Sequence, residues 1–312
     1  MKLYFAPMEG ITTYTYRNAH NELFGGCDAY FAPFIVPAEN ERISRRTMRD
    51  IAPEYNRVEK LIPQVMCNSA ESFDKFIVKL KELEYTELNL NLGCPSGTVV
   101  KKGRGAGALK ELYTLDKLLD SIYSQNDIKV SIKTRAGFYD HSEFDDLLRI
   151  YNKYPASLLI IHPRVREEYY KGVPNVDTFE KAYNGTDLPL CFNGNINTVN
   201  DYLEIAGKFP KLDSVMIGRG AIANPAIFRE IKGGEPLKTE ELVAFSCLLE
   251  ERYMQLLQSE RYTLHRLKEL WIYAIQNYPE EKKIAKAIKK AEKLCDINSA
   301  ISCLPELGER EE

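Results

Sequence analysis

The chain of 312 residues has no Cys-x-x-Cys pair, no two histidines at metal-ligating spacing and no apolar run long enough to span a bilayer. Its seven cysteines, Cys27, Cys67, Cys94, Cys191, Cys247, Cys295 and Cys303, are odd in number and scattered. That argues against a disulfide framework or a zinc knuckle and for reduced thiols. With four histidines and no paired spacing, no metal is expected. The N-terminus breaks at Pro7 before a signal-length apolar core forms, so a cytoplasmic protein with no membrane partner is expected. The net charge of -3 excludes a general polyanion-coating protein, though not one local basic face. There is no internal repeat and no low-complexity segment. A Gly-rich dinucleotide fingerprint is also missing from the first strand-to-helix turn, which reads Pro7-Met8-Glu9-Gly10-Ile11.

What the chain does have is a 44% hydrophobic content, enough for a sizeable core. Short apolar runs predict strands at 3–8, 29–35, 61–66, 87–92, 129–134, 158–162, 188–193 and 214–218. Helical periodicity fills most gaps, as in 72–83, 112–123 and 144–151. Strands alternating with helices imply a parallel sheet, and eight such units in about 230 residues fit a (β/α)8 TIM barrel. An open doubly wound sheet is the competing architecture. Gly233-Gly234-Glu235-Pro236 marks a boundary. Residues 1–235 therefore read as the α/β barrel. Residues 236–312 read as a C-terminal all-α helical bundle, with helices at 242–257, 264–275 and 281–295 and a frayed acidic tail at 306–312.

In a barrel, reactive groups sit where strands end. The strand ends here supply Pro7, Met8 and Glu9; Gln64; Asn91 with Cys94; Lys133 with Arg135; His162 with Arg164; Asn193, Gly194 and Asn195; and Gly218 with Arg219. On 87–92, Glu87, Asn89 and Asn91 alternate with leucines, giving that strand one polar face that needs partners or a ligand. The Gly-containing ends of the last two strands suggest a phosphate site. Lys133 would be costly to bury without an anionic or electron-rich partner. Together these features call for a phosphorylated flat cofactor, and flavin mononucleotide (FMN) fits. Cys94 lies in Asn91-Leu92-Gly93-Cys94-Pro95-Ser96, a Gly/Pro loop rather than an apolar face, which favours a chemical role. The other six cysteines read as small buried hydrophobes. His20, His141 and His265 read as surface or capping groups, His162 as a ligand contact, and Trp271 and Tyr273 as core.

The series Ala6-Pro7-Met8-Glu9-Gly10, Gln64, Asn91-Leu92-Gly93-Cys94-Pro95-Ser96, Gly105-Ala106-Gly107-Ala108-Leu109, Lys133-Thr134-Arg135, His162-Pro163-Arg164, Asn193-Gly194-Asn195-Ile196 and Gly218-Arg219-Gly220 resembles the tRNA-dihydrouridine synthase family. It departs from that family at Phe31–Ile35, which lacks the usual Thr-Glu pair, and at Pro163-Arg164-Val165. The resemblance implies FMN-dependent reduction of uridine in tRNA to 5,6-dihydrouridine, with NADPH (or NADH) reducing the flavin. By carry-over, Pro7, Met8, Glu9, Gln64, Lys133, His162, Asn193, Gly194, Asn195, Gly218 and Arg219 would line the flavin. Cys94 would be the proton donor, and Asn91, Arg135 and Arg164 would face the substrate. The helical tail resembles the family's RNA-binding domain. Its lysines Lys282, Lys283, Lys286, Lys289, Lys290 and Lys293 then become candidate phosphate contacts, as do Arg42, Arg45, Arg46, Lys101, Lys102 and Arg104 near the rim. A monomer is expected. Alternative readings are the same chemistry on ribosomal RNA or another pyrimidine, or a flavin-bound RNA chaperone without turnover.

Overall fold

The computed structural model describes residues 1–37, 44–125 and 127–307. Arg42 and the end of the acidic tail lie outside the described residues, as do the side chains of Arg45 and Arg46.

The strands are β1 (Lys2–Phe5), β2 (Ala29–Phe31), β3 (Leu61–Ile62), β4 (Gln64–Val65), β5 (Glu87–Leu92), β6 (Lys129–Gly137), β7 (Leu159–Val165), β8 (Leu190–Phe192) and β9 (Ser214–Ile217). All pairings are parallel, in the order β3-β2-β1-β9-β8-β7-β6-β5-β4. The run expected as one strand at 61–66 is split at Pro63, which has no N–H to give the ladder. Its carbonyl still accepts from the Asn89 N–H at 2.9 Å. Since β3 and β4 are the two halves of one stave, the sheet ends meet and the barrel closes. The open doubly wound sheet is thereby excluded.

β7 is buried along its whole length, as expected for a parallel strand covered on both faces. Inward side chains Phe31, Ile62, Ile160, Cys191 and Met216 form a separate apolar cluster inside the barrel. The larger core lies between barrel and helices. Helices Ala70–Glu82, Leu112–Gln125 and Phe144–Tyr151 match the expected segments. Ser69 caps the first of these through the Ser72 N–H.

The C-terminal helices Thr239–Leu257 and Glu260–Ala274 pack on the barrel through aromatic side chains. Phe245 sits edge-on to Tyr16 at 5.3 Å and to Phe24 at 5.4 Å. Trp271 is fully buried and donates to Ser246 Oγ at 2.9 Å. The single helix expected at 281–295 is instead two, Lys282–Lys290 and Leu294–Ile301. The Asp296 carboxylate accepts from the Glu292 and Lys293 N–H groups, and Glu260 accepts from Leu294 N–H. These caps start a new helix where the sequence has neither Gly nor Pro.

Two further expectations are corrected. His20 is a core residue, bonded through Nδ1 to the Tyr30 hydroxyl at 2.7 Å and through Nε2 to the Pro225 carbonyl at 2.9 Å. Burial lowers its pKa to about 4. Cys247, Cys295 and Cys303 are exposed rather than buried, because each lies on the outer face of its helix or turn. No helix among the described residues is long and apolar enough to cross a membrane.

Candidate active site

A cavity of about 440 Å³ opens at the C-terminal ends of the strands, within the range that holds cofactors. The segment after β1 brings Pro7, Met8 and Glu9 to it, and β4 brings Gln64. Asn91 and Cys94 reach it from β5 and the loop beyond, Lys133 and Arg135 from β6, and His162 from β7. Asn193 and Gly194 follow β8, and Gly218 and Arg219 follow β9. All these candidates are thus brought together. Arg164 and Asn195 are not in the wall. The fully buried Arg164 guanidinium donates to the carbonyls of Lys171 and Gly172, to His162 Nε2 at 2.9 Å and to Asn195 Oδ1 at 3.2 Å. The same Asn195 oxygen accepts from Arg219 at 2.8 Å. Both residues hold the wall from behind.

The polar face of β5 supports a directed chain of hydrogen bonds. Ser131 Oγ donates to Leu88 O, Asn89 Nδ2 to Ser131 Oγ at 2.9 Å, and Gln64 Nε2 to Asn89 Oδ1 at 2.7 Å. Asn91 Nδ2 donates to Gln64 Oε1 at 2.8 Å, and its Oδ1 accepts from the Gly93 and Cys94 N–H groups at 3.0 Å. The amide of Asn91 is therefore spent on holding the cysteine loop. Arg135 adds a second tie, donating through Nε to Gly93 O at 2.8 Å and through Nη1 to Val165 O at 3.0 Å. Arg166 Nε donates to Pro95 O at 3.2 Å, linking the loops beyond β5 and β7.

The charges are one-sided. Lys133, Arg135 and Arg219 line the cavity against the single carboxylate of Glu9. Burial, then Arg135, lowers Lys133 to about 8. Burial, then Arg135, Lys133, Arg164 and Arg219, holds His162 well below its ordinary value, so it is neutral. The half-buried Cys94 thiol is pushed up, chiefly by burial. Glu9 is also raised, by partial burial and Asp50, against Arg266. A neutral thiol beside cations can hold and give a proton to an electron-rich ligand. Among the described residues no cluster of His, Cys, Asp and Glu could hold a metal ion.

A family model described as dihydrouridine synthase matches residues 4–304. The chain belongs to the dihydrouridine synthase family. Like its relatives it is an oxidoreductase. It is 26% identical over 97% of its length to the tRNA-dihydrouridine(16) synthase of Cupriavidus necator, of which it covers 97%. It is 28% identical over 72% of its length to a probable tRNA-dihydrouridine synthase of Staphylococcus epidermidis, covering 70% of that protein. Its fold is similar to that of morphinone reductase in complex with tetrahydroNAD, with a TM-score of 0.54 at 8% identity over 76% of this chain and 88% of that one. It is also similar in fold to the histamine dehydrogenase of Rhizobium sp. 4-9, with a TM-score of 0.54 at 10% identity over 74% of this chain and 45% of that one.

In this family member three aromatic side chains of the wall were not foreseen as site residues. Tyr170, half exposed, stacks on His162 at 6.0 Å and lies near the Arg135 and Arg219 guanidinium groups at 5.3 and 5.2 Å. Phe34 enters from the segment where the family's Thr-Glu pair is missing. Tyr273, expected in the core, instead lines the cavity from helix Glu260–Ala274. The exposed Tyr169-Tyr170 pair among charges was the available signal for the first. Tyr273 is two residues beyond the buried Trp271 and so on a different face of the helix; that spacing was the available signal that the two do not share one environment.

Proposed function

We propose that the chain reduces the C5–C6 double bond of a uridine in tRNA to 5,6-dihydrouridine, using FMN bound in the cavity and NADPH (or NADH) as the source of electrons. The carrying observation is a raised, and therefore neutral, thiol in a loop facing a cation-lined cavity of cofactor size. Residues 1–235 would carry the chemistry and 236–312 most of the RNA contact.

The residues present fit a flavin phosphate. Lys133 is costly to enclose unless an electron-rich or anionic group meets it. A Cβ on Gly218 would stand 3.3 Å from Ala6 Cβ and 3.5 Å from Met8 Sδ, so glycine keeps that part of the wall open. Arg219, held by Asn195, and the backbone beside Gly194 and Gly218 would take the phosphate. Lys133, His162 and Gln64 would meet the ring. When bound and reduced, the flavin supplies the hydride for C6 of the uracil.

The chain's own task is the proton. Hydride addition at C6 leaves negative charge at C5, conjugated to the C4 carbonyl, and an acid must quench it. Cys94 can do so because burial keeps its thiol protonated at neutral pH. Asn91 and Arg135 fix the loop that carries it. The uridine must leave its stack to reach the barrel mouth, and Tyr170 or Phe34 offers a face to receive it.

The test is direct. The purified protein should show a bound flavin spectrum, be bleached anaerobically by NADPH or NADH, and be reoxidised by unmodified tRNA with dihydrouridine formed in the RNA. Absence of flavin, or reoxidation by free uridine but not by tRNA, would reject the reading.

A further inference from the structure

We propose that Arg164 is a positioning residue that fixes His162 as its neutral Nδ1–H tautomer, so that the imidazole offers the cavity an N–H donor and never an acceptor. The distance from Arg164 Nη1 to His162 Nε2 is 2.9 Å. A guanidinium has five donors and no acceptor. Nε2 must therefore be the acceptor and carry no proton, and the ring proton of a neutral imidazole is left on Nδ1. That nitrogen has no hydrogen-bond partner among the described residues, and His162 lines the cavity.

The arrangement is rigid from behind. Arg164 is 0% exposed, and three of its four remaining donors go to Lys171 O, Gly172 O and Asn195 Oδ1. To swing away it would have to give up the bonds to both carbonyls and to Asn195 Oδ1 together with the one to His162. The groups facing His162 are Lys133 and Arg135 from β6, Arg164 from β7, Arg219 from beyond β9 and the Tyr170 ring. No carboxylate is among them to favour an imidazolium.

The consequence concerns the ligand. His162 Nδ1–H and Lys133 together present only donors to that side of the cavity. They select a ring edge made of acceptors, such as carbonyl oxygens or an unprotonated ring nitrogen, and strengthen as that edge gains electron density. This ligand statement rests on the flavin reading above; the tautomer does not.

The test uses the full chain labelled with 15N-histidine, with flavin bound and after its removal. Long-range proton–nitrogen correlations report which ring nitrogen is protonated, and the His162 signals are identified by their loss in His162→Gln. The expected result is protonation at Nδ1 alone across about pH 6 to 8; an Nε2–H form or an imidazolium overturns the proposal. In Arg164→Met the tautomer should shift or become mixed and flavin should bind about tenfold more weakly or worse, whereas Arg164→Lys, which keeps a donor, should retain Nδ1–H. An unchanged Nδ1–H signal in folded Arg164→Met removes Arg164 from the role. Should that variant not fold, the unsubstituted protein's spectrum decides. A protein that never binds flavin but shows Nδ1–H sinks the function and keeps the tautomer.

Discussion

Gly105 presses directly against Cys94: a Cβ at residue 105 would stand 2.8 Å from the Cys94 carbonyl oxygen and 2.9 Å from its Cβ. Gly105 also has φ +55, a left-handed conformation that side chains with a Cβ adopt at a cost. The next residue, Ala106, donates its N–H to the same Cys94 carbonyl at 3.0 Å. Gly105→Ala should therefore displace the thiol without touching the far wall of the cavity. We expect flavin to be retained and uridine reduction to fall by about tenfold or more, since small misplacements of a reacting group are costly. Single-turnover reoxidation by tRNA measures this; an unchanged rate would show that the loop's packing does not set the thiol's position.

Cys94→Ala should keep bound flavin and lose about 10²- to 10⁴-fold in dihydrouridine formation, the usual worth of a positioned acid. The acid must be protonated, and the Cys94 thiol is raised above its ordinary value, mainly by burial. Activity should thus hold through neutral pH and fall only as pH rises through the raised value. A rate that climbs on the alkaline side would instead demand a thiolate and would refute the proton-donor role.

Asn91→Ala removes the acceptor of the Gly93 and Cys94 N–H groups and strands Gln64 Oε1 in a buried site. One unpaired buried group costs about 1–3 kcal/mol. Thermal unfolding should show a loss in that range, together with slower uridine reduction. A stable but slow variant would separate loop positioning from folding, while a fast one would show the amide to be dispensable.

The barrel was legible because strand and helix periods differ, and because seven of the strand ends carry polar or Gly residues at the positions that converge. Cys94 was legible because a thiol between Gly93 and Pro95 cannot belong to an apolar face. What escaped depended on three-dimensional packing. Arg164 has the sequence context of a wall residue, yet the turn after β7 folds back and absorbs its guanidinium. His20 lies on a helix of low apolar content, but the Pro225 carbonyl and the Tyr30 hydroxyl satisfy its ring in the core. Gly233 and Gly234 lie in the turn between helix Ile227–Ile231 and helix Thr239–Leu257. The core nevertheless runs across it, because Phe245 packs among Tyr16, His20 and Phe24. Removing 236–312 would bare those rings, so loss of RNA binding is better sought with surface substitutions.

Lys133 is lowered from 10.5 to about 8, by burial first and Arg135 second. Between those two values the unfolded chain holds the proton and the folded chain does not, so unfolding takes up a proton. Stability of the flavin-free protein should therefore rise with pH across that window, and below about 8 the folded state bears the full penalty. Lys133→Met should raise the melting temperature of the flavin-free protein at pH 7, with the gain shrinking towards pH 10. It should also weaken flavin binding. A variant less stable than the parent at pH 7 would mean that Lys133 already has a compensating partner.

Helix Lys282–Lys290 turns Ile288 into the core and leaves Lys282, Lys283, Lys286, Lys289 and Lys290 exposed. Among the described residues none of these lysines pairs with a carboxylate. The helix follows a segment tied to the barrel, where Asn277 Nδ2 donates to Ala223 O just beyond β9. An RNA bound at the site and extending over the C-terminal helices would meet these lysines. Each phosphate neutralised releases a counterion, so the logarithm of affinity falls with the logarithm of salt by roughly 0.7–0.9 per contact. Replacing Lys283, Lys286 and Lys290 by glutamate should weaken tRNA binding and make that slope shallower by about 2. The flavin spectrum and the melting temperature should stay as they were, because exposed, unpaired lysines contribute little to folding. Titrations at several salt concentrations measure the slope. Parent-like affinity with a parent-like slope would assign the RNA to another face, the rim lysines Lys101 and Lys102 being the next to test.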